Sequence, residues 1–481
     1  MALAAVRLDI ERSLLALGFA GLCLAFGVLA GLDPSLAIGG ALAIGFFGIA
    51  MANLTAGLVI FALIAFFALT PGAVGSFVSA QAASLVLALS WLARVATQAV
   101  PTRFFWSRHP GITWLAVAFL AWVALSALWA ENAGDTLAVL VKYGFDALLF
   151  VIVFEAIRTP QQVKALLGAL VAGGSVAAAY GIVASPNLSG LSGSPTAATD
   201  LDRLGGTIAD PNLLAAVLVI AFVLAVALTA TTRSPALRFV LIGAAGLALL
   251  SVFLTASRGG AVGLLAALVT AIVLARGRRA AAIGGAVAVV AVGALYVGAF
   301  DPGVAQRYST ADGGNGRTDL WKVGWRMSEA NLVKGVGAGN FRDASAHYVL
   351  SEPGAIANTE FIIDQPRFAH NIYLEILAEL GVIGLALFLA LVGATIGTGV
   401  QAARRFAGNG DAEMALLSRA VVVALVALLA MDFFLSDQFS KQLWLLLALC
   451  PAMLSIAAAR ERGPSAEEML PDPEPLARAS A

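Results

Sequence analysis

Apolar runs of roughly twenty residues, separated by short polar connections, recur along the chain. A bilayer-spanning helix needs about 20 apolar residues, within roughly 17–25. By that measure candidate spans lie near 13–31, 35–51, 53–70, 77–97, 112–130, 136–157, 164–183, 211–231, 238–255, 260–275, 281–300, 371–400, 414–435 and 441–459. The pattern predicts an all-α polytopic membrane protein with 12–14 transmembrane helices. The range comes from residues 35–70, where only Met51–Asn53 separates two apolar runs. At the N-terminus the run Ser13–Gly31 is long enough to span and apolar segments follow at once. An uncleaved first span is therefore expected rather than a cleaved signal peptide.

The polar connections carry the orientation. Counting from a cytoplasmic start, Arg7, Arg12, Arg103, Arg108, Arg158, Arg233, the "RGRR" at 276–279, the "ARR" at 403–405, Arg460 and Arg462 all fall on one side. Short basic connections belong inside. The other set (71–76, 131–135, 184–210, 256–259, 301–370 and 436–440) is richer in Gly, Pro, Ser and Asp. It contains one large loop, 301–370, placed outside. Three regions result: N-terminal spans 1–183, a membrane region 184–459 that includes the loop, and a Pro- and Glu-rich tail 460–481 expected to be disordered in the cytoplasm.

Composition agrees with this picture and excludes some partners. The chain is 60% hydrophobic and 12% charged, against roughly 25% charged in soluble domains. Its mean hydropathy is +0.91. A formal net charge of zero argues against a nucleic-acid partner. Cys23 and Cys450 both lie in apolar runs, which fits packing rather than a disulfide or a thiolate metal site.

Polar residues are scarce enough that their positions matter. Arg258, in "LTASRGGAVG", stands between two apolar runs with almost no loop. An arginine near the bilayer centre costs at least about 2.5–3.5 kcal/mol. One facing outward also runs against the positive-inside bias, so a fixed anionic partner is the sharper reading than a snorkelling side chain. Arg203 lies in "DLDRLGGTIADPNLLAA", where Asp210 and Pro211 read as the cap and first position of a helix. The Asp200–Leu201–Asp202 triplet is too weak to carry a metal site.

Within the large loop, Arg317, Trp321 and Trp325 recur every four residues beside Lys322 and Arg326. That describes an amphipathic helix, either interfacial or packed within the loop. Gly335, Gly337 and Gly339 then read as a flexible turn, too short for a phosphate-binding loop. At the loop's exit stands "RFAHNIYLEILAELG". A helix starting near Asn371 puts Glu375 and Glu379 on one face, with His370 at its mouth. A helix N-terminus favours anions, and histidine is the usual base near neutral pH. Lys142 and Asp146, at helical spacing in one span, read as an internal pair holding the bundle together.

An outward-facing membrane site with several arginines and one candidate base suits a lipid-linked phosphate or diphosphate sugar. The arginines would clamp the diphosphate and stabilise it as the leaving group. The base would take a proton from an acceptor hydroxyl. No cluster of metal ligands is evident, so a metal-independent reaction without cofactors is expected.

Four pieces in order resemble the O-antigen ligase/polymerase family of bacterial envelope enzymes: "GGTIADPNLLA", "TASRGG", "RTDLWKVGW…KGVGAGNF" and "HNIYLEILAELGVIG". They cover residues 205 to 384. The resemblance implies a C-type glycosyltransferase in the inner membrane with its active site facing the periplasm. It would move a glycan from undecaprenyl diphosphate to lipid A–core in a ligase, or to another glycan repeat in a polymerase. It places Arg258 and Arg317 on the diphosphate and gives His370 the role of activating the acceptor. Arg203, Asn371, Trp321 and His347 would contribute to substrate binding; His347, in "HYVLSEPGAIANTEF", resembles a ligase-type loop motif. The ligase reading is taken first and the polymerase as its alternative, with a protein O-oligosaccharyltransferase sharing the same donor. A polysaccharide exporter or flippase would instead distribute charges along many spans, and a membrane scaffold would not collect arginines on one face.

Overall fold

In the computed structural model the described residues are 27–28, 30–66, 80–97, 104–184, 204, 206–208, 210–275, 277, 279–299, 317–350 and 367–461. Among them there are helices and turns but no strands. The helices are α1 (Pro34–Ala52), α2 (Leu54–Ile64), α3 (Ala80–Ala96), the single turn α4 (Phe105–Arg108), α5 (Pro110–Ser126), α6 (Ala133–Ala156), α7 (Pro160–Ala184) and α8 (Pro211–Thr231). They continue as α9 (Pro235–Leu254), α10 (Arg258–Leu274), α11 (Arg279–Ala299), α12 (Arg317–Ala330), α13 (Phe341–Leu350), α14 (Ile372–Gly408), α15 (Ala412–Met431) and α16 (Lys441–Glu461). Seven are long and apolar enough to cross a membrane, and six shorter helices are also apolar. The protein is an all-α, multi-pass membrane protein.

The expected span 13–31 lies mostly outside the described residues, as do most of 184–210, the stretches 300–316 and 351–366, and the tail from 462 onward. The span expected at 53–70 is shorter than predicted: α2 has 11 residues and turns off after Ile64. It begins where Asn53 accepts from the Ala56 amide and so caps a new helix directly after α1. Eleven residues rise only about 16 Å, half of a hydrocarbon core.

One apolar core runs from Phe46 in α1 to Ala457 in α16. Small residues set its closest crossings. A Cβ at Gly174 would lie 2.5 Å from the Ala221 Cβ, and one at Gly263 would lie 2.4 Å from the Met431 sulfur. The basic connections gather at one end, where Arg158 pairs with Glu155, Lys164 with Glu413, Arg405 with Glu461 and Arg460 with Asp411. The opposite end carries the N-termini of α6, α8, α10 and α14 and the described parts of the large loop.

The apolar run expected as one span at 371–400 is two helices. Gly381, at φ 67° and ψ −171°, breaks α14 after nine residues. The break frees carbonyls that the large loop and α5 satisfy: from the loop Val336 N donates to Ala378 O (3.0 Å) and Gly337 N to Glu379 O (2.8 Å), and from α5 Trp122 Nε1 donates to Leu380 O (2.8 Å). The glycine turn at 335–339 is therefore a tight clamp and not a flexible turn. All three glycines have positive φ, and a Cβ at Gly335 would lie 2.2 Å from the Glu379 backbone. Backbone that irregular is tolerated within a membrane bundle because its polar groups find partners inside the protein.

Candidate functional site

Three helices begin side by side at the loop-bearing end. Asp210 caps α8, its Oδ1 accepting from Asn212 N (2.7 Å) and Leu213 N (3.1 Å), with Pro211 at the first helical position as predicted. Ser257 caps α10 through the Gly260 amide and donates its hydroxyl to Asn212 Oδ1 (2.8 Å), which ties the two helix starts together. Asn371 caps α14, its Oδ1 accepting from Tyr373 N (3.0 Å) and Leu374 N (3.1 Å). Each start exposes unpaired amides and the positive end of a helix dipole, which favours an anion beside them.

These starts close into a ring through aromatic contacts. A Cβ on Gly259 would touch Phe434 at 3.7 Å, and the Phe434 and Trp321 rings lie 6.1 Å apart. Trp321 Nε1 donates to Ala369 O (3.0 Å), the residue before His370. His370 is electrostatically coupled to Arg317, Arg367 and, across the ring, Asp210. Arg258 occupies the first position of α10 and is exposed. Its guanidinium has no hydrogen bond or ion pair among the described residues. The ring thus brings Arg317, Trp321, His370 and Asn371 together, with Arg258 at the first position of α10 beside Gly259. Arg203 lies outside the described residues. His347 is not part of the ring: it is exposed on α13 with Nδ1 3.8 Å from Glu131 Oε2.

Two described non-glycine residues have a left-handed backbone, and both sit here. They are Ala256 (φ 47°), just before Ser257, and His370 (φ 50°). Such conformations cost of order 1–3 kcal/mol each and persist where the surroundings impose them, often at functional sites. Burial holds the His370 pKa below its ordinary value, with Arg317 and Arg367 acting in the same direction and Asp210 opposing them. The imidazole is then neutral at neutral pH, the form a general base requires.

The expected indole stripe on α12 divides. Leu320, Val323 and Met327 form the buried face against Phe341, Ala344 and Ala378. Trp321 turns into the ring, whereas Trp325 is exposed and donates to Glu329. Lys322 in the basic flank pairs with Asp319 at 3.1 Å. Glu375 and Glu379 share the buried face that their spacing predicts and act as struts. Glu375 accepts from Ala369 N (3.1 Å), Gln438 Nε2 (2.8 Å) and the Ser436 hydroxyl; Glu379 accepts from Phe341 N (3.1 Å).

The sequence did not single out the loop between α15 and α16. Its Asp437 reaches Asp210 electrostatically; burial pushes its carboxyl up to about 7, aided by Asp210 and Asp146 and opposed by Ser440 and Lys441. Nearby Asp432 is fully buried, and neither of its carboxylate oxygens has a hydrogen-bond partner among the described residues. The available signal was polar density: Asp432, Ser436, Asp437, Gln438 and Ser440 crowd a gap between two apolar runs. The expected Lys142–Asp146 pair is not the one that forms. Asp146 pairs with Lys441 of α16, and Lys142 lies over the Phe439 ring at 5.2 Å.

Residues 243–389 match the family model described as O-antigen ligase. The match covers less than half of the chain, and over that segment the chain is similar to O-antigen ligases. The matched segment contains "TASRGG", the α12–α13 loop region and the His370 helix start, that is, three of the four pieces singled out in the sequence. The fourth, with Asp210, precedes it, and the 435–440 loop follows it. No curated protein matches the chain significantly. The O-antigen ligase family covers ligases and related polymerases, enzymes of the glycosyltransferase type that act on lipid-linked glycans and their acceptors in a membrane.

Proposed function

We propose that the ring is the active site of an inner-membrane glycosyltransferase, open to the periplasm, that moves a glycan from undecaprenyl diphosphate to an acceptor saccharide. The observation that carries this reading is His370, held neutral beside Arg317 and Asp210, among clustered helix N-termini, one of which begins with Arg258. The gathering of basic connections at the far end of the bundle supports the periplasmic orientation.

In this reaction His370 takes the proton of the acceptor hydroxyl as its oxygen attacks the anomeric carbon. The bond from that carbon to the diphosphate oxygen breaks, and the diphosphate leaves with the bonding electrons. Arg258 and Arg317 hold that growing charge as charge-assisted donors, with the helix dipoles adding to them. Arg203 is a further diphosphate contact. Trp321 and Asn371 shape the acceptor side through the Ala369 carbonyl and the α14 cap, and His347 reaches a more distant part of the glycan. The chemistry is proposed to proceed without a metal.

A ligase acting on lipid A–core is the first reading, and a repeat polymerase with the same donor is the second. Purified protein given a lipid-linked glycan and either acceptor decides between them: a ligase glycosylates lipid A–core, whereas a polymerase lengthens the glycan. Donor translocation without either product would reject both.

A further inference from the structure

The wall of the ring between α15 and α16 is held from outside the matched segment. Asp146 is fully buried in the second half of α6, roughly 20 Å along the helix from its first turn. It pairs with Lys441, the first residue of α16, whose side chain is 13% exposed. Directly before Lys441 runs the polar loop 435–440, an irregular backbone that connects the spans Ala412–Phe434 and Lys441–Glu461.

We propose that Asp146 and Lys441 are a positioning pair for glycan transfer: their ion pair pins the start of α16 to α6 and so fixes loop 435–440 as a wall of the ring. The proposal rests on the functional reading above.

Stability alone does not explain the pair. Two charges withdrawn from water commonly gain no more from each other than an apolar pair of similar volume would provide. Charged residues inside spans are costly and tend to mark functional positions. The other ties of the loop run the same way. Gln438 and Ser436 reach Glu375 on the His370 helix, Trp444 Nε1 holds Gln438 O (2.8 Å), and Phe439 packs on Tyr143 at 4.7 Å. Gln442 Nε2 fastens the next residue to Ala65 O (3.2 Å). Asp437 is the carboxylate this framework presents toward Asp210, and its side-chain hydrogen bond is to Ser440 of the same loop. A shift of Lys441 would therefore move Asp437 and the Glu375 contacts together.

The test uses the full-length protein with Asp146→Leu/Lys441→Met, which leaves no charge unpaired, beside Lys441→Arg, which keeps the pair. Hydrogen–deuterium exchange reads the loop independently of activity, and transfer assays give kcat and KM for a lipid-linked glycan donor. The double variant should reach the membrane at normal abundance with exchange across 435–440 faster by about tenfold. Its kcat should fall by about tenfold to a hundredfold with donor KM within about twofold. Lys441→Arg should stay near wild type in both. If the double variant does not accumulate, Asp146→Asn/Lys441→Gln is read in the same way. Unchanged exchange, or faster exchange with unchanged kcat, overturns the proposal. If wild-type protein transfers no glycan while exchange accelerates in the variant, the transfer reading fails and the pair's hold on the loop stands.

Discussion

Trp321 donates its indole N–H to the carbonyl of Ala369, 3.0 Å away, and so the large loop grips the chain one residue before His370. Ala369 is fully buried and its own amide is held by Glu375, which leaves His370 between two fixed points in a left-handed backbone. Replacing the indole with a phenyl ring keeps the packing and removes the donor. Trp321→Phe should lower transfer by about fivefold to tenfold, the equivalent of roughly 1 kcal/mol for one hydrogen bond. Membrane abundance, measured alongside initial rates, should not change.

The pH profile of transfer should report the environment of His370. Its folded pKa is depressed below the ordinary value of 6.5, chiefly by burial and then by Arg317. The neutral base therefore persists as pH falls, and the acid limb of the rate should lie below 6.5. Arg317→Gln removes a charge that lowers the pKa, so the limb should move to higher pH. Asp210→Asn removes one that raises it, so the limb should move to lower pH. The midpoint of the limb, not the rate at its plateau, is the quantity to compare.

Gly381 and Gly335 face each other across the clamp. A Cβ at Gly381 would fall 2.2 Å from Val333 O, and both residues have positive φ. Gly381→Ala should destabilise the protein by at least about 1–2 kcal/mol from backbone conformation alone, before the clash is counted. Gly393→Ala, in the helix after the break with nothing within 4 Å, should instead be neutral or stabilising. Thermal unfolding in detergent, followed by loss of monodisperse protein, distinguishes the two.

Helix starts and spans were legible in the sequence because they depend on local chemistry. "DPN" and "HN" announced their caps, and apolar run length announced most of the spans. The break at Gly381 was not legible. A glycine in an apolar run is compatible with an unbroken helix, and donors distant in sequence, the amides of Val336 and Gly337 and the Trp122 indole, make the break tolerable. The same limit explains Asp146. Lys142 was its nearest cation by helical spacing, but its partner is 295 residues away and only the packing of α6 against α16 brings the two together. Arg258 and His370 stood out because charge is scarce in this chain. Asp437 did not, because a short polar gap between two spans is also what an ordinary connection looks like.

His370 is the residue on which the proposed transfer chemistry turns. Single-turnover transfer should be measured with purified wild-type protein and His370→Ala at saturating lipid-linked donor, with donor binding measured on the same samples. His370→Ala should bind donor normally, through Arg258 and Arg317, and lose transfer by at least about a hundredfold, the usual contribution of a general base. Transfer at the wild-type rate by His370→Ala would remove His370 from the chemistry.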